Sequence, residues 1–163
     1  MIRIVFNIEP VIARLGRVSQ VLDDMTPVFN DIGEYVVEAT KKRFTISTAP
    51  DGTKWQPKSA ATIARYQARK DGNRPKPLIG PSGRLGREIN KLATRDQVEI
   101  GSALEYSGVM QDGAAQGAFG TAANGSPIPW GRIPARVWLG LSDDDNRNIL
   151  DIADEYLAEA AGD

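Results

Sequence analysis

Apolar residues recur every second position at the start of the chain, with Ile2, Ile4, Phe6 and Ile8 separated by Arg3, Val5 and Asn7. That period predicts a half-buried strand over 2–8. Pro10 ends it and suits the first turn of a helix. Val11, Leu15, Val18 and Leu22 then fall at spacings of four, three and four, one apolar stripe on a helix over 10–23. Thr26-Pro27 reads as an N-cap followed by proline at the first helical position. The helix it opens carries Val28, Ile32, Tyr35, Val36 and Ala39 on one face, with Lys41, Lys42 and Arg43 in its last turns to complement the dipole. The two helices are expected to pair antiparallel, or the second to cross a sheet.

Further along, the pattern shortens. Residues 46–57 read as a loop, with Asp51-Gly52 as turn chemistry and Trp55 docking it on the body. Ser59 caps a short helix over 60–70 whose apolar face is thin. Residues 71–83 hold three prolines and three glycines, a surface connection. Loose alternation over 84–93 and a cleaner run over 97–102 predict an antiparallel hairpin, with Asp96 in its turn. A short helix is expected within 103–112, followed by a long Gly-, Ala-, Ser- and Pro-rich loop over 113–131. Val137 to Leu141 is a third short strand candidate, Gly140 allows a bend, and Ser142 caps a helix beginning Asp143-Asp144-Asp145. Ile149, Ile152, Ala153, Tyr156 and Leu157 form that helix's buried stripe. The fold class is α+β: N-terminal helices, a small antiparallel sheet with long loops, and a C-terminal helix packed on it, in a single domain over 1–163.

Composition narrows the chemistry. The 163 residues contain no cysteine and no histidine, so thiolate chemistry, disulfides, the commonest general base and the commonest metal ligand are all missing. No apolar run is long enough to span a bilayer, and residues 1–7 lack the features of a signal peptide. A soluble protein made in the cytosol is expected, with no membrane partner. Asp143, Asp144 and Asp145 lack the alternating spacing and downstream glutamate of a calcium loop, and a capped helix start explains them. Gly80-Pro81-Ser82-Gly83-Arg84 lacks the lysine-hydroxyl pair of a phosphate-binding loop. An enzyme would need an acid-only site, and the sequence offers none.

A net charge of -1 hides a polarity along the chain. Residues 54–95 carry eleven Lys or Arg against two acids; residues 141–163 carry eight acids against Arg147 alone. A basic middle and an acidic tail can meet between neighbouring subunits, or the basic part can face nucleic acid. The candidate contacts to subunits or DNA are Lys54, Lys58, Arg65, Arg69, Lys70, Arg84 and Arg87, joined by Arg132 and Arg136, which flank Pro134. Asp143, Asp144, Asp145, Asp151 and Glu155 form the candidate acidic face, and Trp55, Trp130 and Trp138 are the candidate anchors.

Five landmarks in order resemble the phage virion morphogenesis (tail completion or head–tail joining) proteins of Mu-like tailed phages. They are Pro50-Asp51-Gly52-Thr53-Lys54-Trp55-Gln56-Pro57, Ala61-Thr62-Ile63-Ala64-Arg65, Gly83-Arg84-Leu85, Val98-Glu99-Ile100-Gly101-Ser102, and Ile133-Pro134-Ala135-Arg136 followed by Leu139-Gly140-Leu141-Ser142. Met110-Gln111-Asp112 stands where that family has histidine-glutamine-phenylalanine. The resemblance implies a non-enzymatic α+β subunit at the head–tail junction of the virion, made in a bacterial host and needing no cofactor. It implies a homo-oligomeric ring, six-fold first and twelve-fold second, that contacts other neck and tail proteins and passing DNA. The loops at 71–83 and 113–131 are expected to act as arms that order on assembly. The alternative is a nucleic-acid-binding module using the basic segment 54–95.

Overall fold

Twenty-one consecutive residues with no proline beyond the first turn, apolar at Val28, Ile32, Val36, Val37 and Phe44, build the longest helix, and the rest of the chain packs around it. The fold is seen in a computed structural model that describes residues 8–162. The strand expected over 2–8 lies, apart from Ile8, outside them.

The elements run α1 (Glu9–Asp23), α2 (Thr26–Ile46), α3 (Ala60–Ala68), α4 (Arg84–Arg87), β1 (Asn90–Ala93), β2 (Val98–Gly101), α5 (Ser107–Asp112) and α6 (Asp143–Ala161). Helix α2 starts one residue before the expected position. Met25 is its N-cap, and Asp24 Oδ1 accepts from the Thr26 N–H. The two strands form the expected antiparallel hairpin, with Asn90 opposite Gly101 and Ala93 opposite Val98. Arg84 to Arg87, expected to begin the strand, instead make a single helical turn.

The third strand candidate, 137–141, is irregular, bends at Leu139 and joins no ladder. Its neighbour is a side chain: Gln111 Oε1 accepts from the Trp138 and Leu139 N–H groups, while Gln111 Nε2 donates to the Leu139 carbonyl. The segment thereby satisfies backbone groups that a sheet would otherwise have to satisfy.

Two apolar clusters lie along α2. Val37 and Phe44 meet Ala49, Trp55, Leu85, Ile89 and Trp138 toward its C-terminal end. Phe44 is edge-on to Trp55 at 5.2 Å between ring centroids and tilted against Trp138 at 6.0 Å. Val28, Ile32 and Val36 meet Val98, Ile100, Ile149, Ile152, Ala153 and Tyr156 toward the other end. So α2 crosses the hairpin and carries α6 beside it, which is the second of the two expected arrangements.

Helix α1 does not pair with α2 but runs along α6. Arg17 Nε donates to the Ala160 carbonyl at the C-terminal end of α6, and Val21 joins the cluster containing Ile149 and Ile152. Its predicted stripe is largely uncovered, since Val11, Leu15 and Leu22 are each more than half exposed. Periodicity locates an apolar face but does not say what covers it.

Candidate assembly surface

The stretch from Arg132 to Ser142 is held at nearly every residue from Arg136 onward. Arg136 is buried and donates from Nε to the Gln56 carbonyl (2.7 Å) and from Nη2 to the Pro57 carbonyl. Trp55 Nε1 donates to the Val137 carbonyl at 2.8 Å, and Trp138 Nε1 to the Ser107 carbonyl at 3.1 Å. Gly140 sits at φ +153 with its Cα against the Pro50 ring, a place where a Cβ would meet the ring at 3.1 Å. Ser142 then caps α6 as expected, and Asp145 completes a capping box.

Asp145 does more than cap. Its side chain accepts from Tyr35, from the backbone and hydroxyl of Ser142, and from Arg43, a residue on α2 whose other Nη donates to the Gly140 carbonyl. Burial pushes the carboxyl upward, but those hydrogen bonds and the Arg43 charge outweigh it and hold the group below its ordinary value. Asp145 is therefore not part of an acidic outer face, and Arg43, in the last turn of α2 as expected, is also committed to the ion pair. The carbonyls ending α2 are met by distant lysines, Lys76 on Thr45 and Lys54 on Ile46.

The long loop 113–131 folds back on itself as an irregular ribbon, with isolated bridges pairing Ala114 with Ile133 and Thr121 with Pro127 and a turn over 116–119. Ala114 and Ile133 exchange backbone hydrogen bonds at 2.9 and 2.8 Å; Phe119 donates to Ile128, and Ala122 to Ser126 near the tip. Its base is tight. Gly113 has φ +75, and a Cβ there would sit 2.6 Å from both the Ala135 nitrogen and the Ile133 oxygen. Gly113→Ala is expected to cost about 2–4 kcal/mol, from left-handed strain plus backbone overlap. A urea midpoint within experimental error of wild type would show that the ribbon base tolerates a Cβ.

The candidate cations separate by what they already hold. Lys58 Nζ donates to the Arg74 and Ile79 carbonyls and lies 4.8 Å from the Tyr66 ring centre, so it pins the 71–83 connection to α3. Burial, then the Arg136 and Arg74 charges, lower its pKa. Arg84 is paired in two bonds with Glu88, and Arg87 donates to the Ser82 carbonyl. The Arg65 guanidinium stacks 4.5 Å over Trp130, tying the ribbon to α3. Lys58 and Arg136 are thus committed within the chain. Arg69, Lys70 and Arg132 are exposed. Among the acids, Asp143, Asp151 and Glu155 are exposed on α6, and Asp144 pairs with Arg147.

Of the three tryptophans, Trp55 and Trp138 are core anchors, whereas Trp130 is 54% exposed under Arg65. Sequence reading missed Gln111; its only signal was a glutamine retained within a motif whose neighbours differ. The second role of Asp145 was signalled by the Ser142-to-Asp145 spacing of a capping box.

Between the 49–52 turn, Val137 to Leu141 and the start of α6 lies an open groove of about 730 Å³. Ala49, Pro50, Val137 and Leu141 line it together with the charged side chains of Asp51, Asp143, Asp144 and Arg147. Among the described residues no group of His, Cys, Asp or Glu side chains is placed to hold a metal ion, and no helix is long and apolar enough to cross a membrane. Compared with known families, residues 6–158 match the model of the phage virion morphogenesis family. No curated protein and no solved structure matches the chain.

Proposed function

Starting from a chain that belongs to the phage virion morphogenesis family, we propose that this protein completes the head-proximal end of the tail, or joins head to tail, as a ring-forming subunit around the DNA channel. A structural role in phage virion assembly follows from the family itself. The finer reading is carried by one observation, the charge polarity that remains after internal pairing. Arg69, Lys70 and Arg132 stay exposed on the basic side, and Asp143, Asp151 and Glu155 stay exposed on α6. Exposed groups of opposite sign on separate elements of one chain favour a heterologous contact, which closes into a ring when the rotation fits. Six subunits are the first choice and twelve the second. The ribbon over 113–131, with Phe119 and Ile128 exposed along it, is the element offered to neighbouring neck and tail proteins.

The experiment is electron microscopy of lysates from a phage lacking this gene. Filled heads beside separate tails are expected. Intact virions would remove the joining role and return attention to the basic surface as a duplex-DNA binder, whose mark would be strong salt dependence. Within the ring reading, Arg69→Glu with Lys70→Glu should abolish complementation of that phage. Both side chains are exposed, so the fold is expected to stay within about 0.5 kcal/mol. Arg65 is left out of the pair because reversing it would also release Trp130. Full complementation would sink the charged contact.

A further inference from the structure

Residues 8 to 17 are all exposed, although they form the first half of an amphipathic helix. The reason is geometric. Arg17 already reaches the last carbonyls of α6, Ala160 and Ala161, and the two helices run antiparallel, so everything before Arg17 continues past the end of α6. About 13 Å of helix, at ~1.5 Å per residue, projects as an arm. Ile8, Val11, Ile12 and Leu15 are exposed on it by 57–63%, and among the described residues nothing covers them. A Cβ placed on Gly16 would meet no atom within 4 Å.

The groove between the 49–52 turn and the start of α6 is the complementary surface. It is open at the N-terminal end of α6, roughly 28 Å along that helix from the arm by the same rise per residue. Apolar side chains make up part of its lining, with Leu141 48% exposed and Val137 44% exposed. Its volume is in the ~300–1,000 Å³ range of small-molecule clefts, room enough for the side chains of one helical turn. The signs also fit. The groove's lining has Asp51, Asp143 and Asp144 against Arg147, a formal charge of -2, whereas residues 8–17 carry Glu9 against Arg14 and Arg17, a formal charge of +1. Hydrogen bonds from the Thr53 backbone and hydroxyl hold the Asp51 carboxyl below its ordinary value, so the groove keeps that charge.

We infer that the projecting half of α1 in one copy of this chain docks its Ile8, Val11, Ile12 and Leu15 face into the groove beside Leu141 of the next copy. Plug and socket sit at opposite ends of one helix and so cannot meet within a chain. Repeating the contact adds subunits head to tail, as a heterologous interface does. This deepens the ring reading and rests on it. It supplies the apolar contact that the charged faces lack.

The test uses the purified full chain in sedimentation, with circular dichroism as a check that each variant folds. Wild type is expected to form oligomers that dissociate on dilution. Ile12→Asp with Leu15→Asp should reduce them to the 17.7 kDa monomer, and so should Leu141→Lys, because all three positions are exposed. Each defective chain keeps the half the other lacks, so mixing the two should give dimers that grow no further. A wild type that stays monomeric overturns the contact, as do oligomers that survive either variant. Arm-to-arm pairing would leave Leu141→Lys oligomeric, and a mixture that stays monomeric would also overturn the head-to-tail arrangement. The two readings fail separately. Monomers in solution with a joining defect in the deleted phage remove only this contact; oligomers with intact virions remove only the virion role.

Discussion

Asp145→Ala is expected to destabilise the protein by about 3–5 kcal/mol, the usual cost of removing one partner from a buried ion pair. A domain of ordinary stability holds about 5–15 kcal/mol, so the loss is a large share of the total. The reason is what stays behind. Arg43 is 7% exposed and would keep only the Gly140 carbonyl, with its charge uncompensated. Ser142 would lose the half of the capping box that the Asp145 carboxylate supplies, and the Tyr35 hydroxyl would keep only Asn148 as partner. Urea unfolding at neutral pH measures the effect; a loss under about 1 kcal/mol would mean that water reaches Arg43 readily.

The same carboxylate sets a pH dependence. Its pKa is lowered in the folded state, so the stability it contributes is present above the unfolded value of about 3.9 and fades as pH falls through the lower folded value. Asp145→Ala should remove that part of the acid sensitivity, and the gap between variant and wild type should narrow below pH ~4. The double replacement Arg43→Met with Asp145→Leu is expected to cost less than Asp145→Ala alone, because no charge is left buried.

Trp138→Ala is expected to cost about 3–5 kcal/mol. The indole is 3% exposed, packs against Phe44, and donates to the Ser107 carbonyl, so truncation opens a cavity and leaves a carbonyl without its donor. Trp130→Ala is the control. That ring is half exposed and its clearest partner is the Arg65 guanidinium, a contact worth about 0.5–1 kcal/mol at an exposed site. Equal losses for the two, measured by urea midpoint, would refute the assignment of Trp138 to the core and Trp130 to the surface.

The elements legible in the sequence are those whose signal is local. Ser142 and Ser59 cap the helices they were expected to cap, because a cap is decided within four residues. The hairpin followed from alternation and a turn, and α2 and α6 from their stripes. What was not legible depends on distant partners. Val11 and Leu15 carry a core-like period but find no partner among the described residues. Residues 137–141 read as a strand, and their composition is that of one, but the nearest available backbone partner is replaced by Gln111. The candidate cations divide along the same line. Nothing near Lys58 or Arg136 in sequence reveals that carbonyls of Arg74, Ile79, Gln56 and Pro57 await them, and nothing near Trp130 foretells Arg65.

The Gln111 amide has a consequence for solubility in company. An extended segment rich in Val, Trp and Leu, with its N–H and C=O groups open on one side, is a template for pairing with an identical segment from another chain. In the ring proposed above, several copies of this segment come close together. A single primary amide, presenting one acceptor and one donor in the spacing of a peptide unit, occupies those positions at Trp138 and Leu139 without adding a strand that would itself have an edge. The segment gains the hydrogen bonding of a sheet and is closed to cross-chain zippering at Trp138 and Leu139.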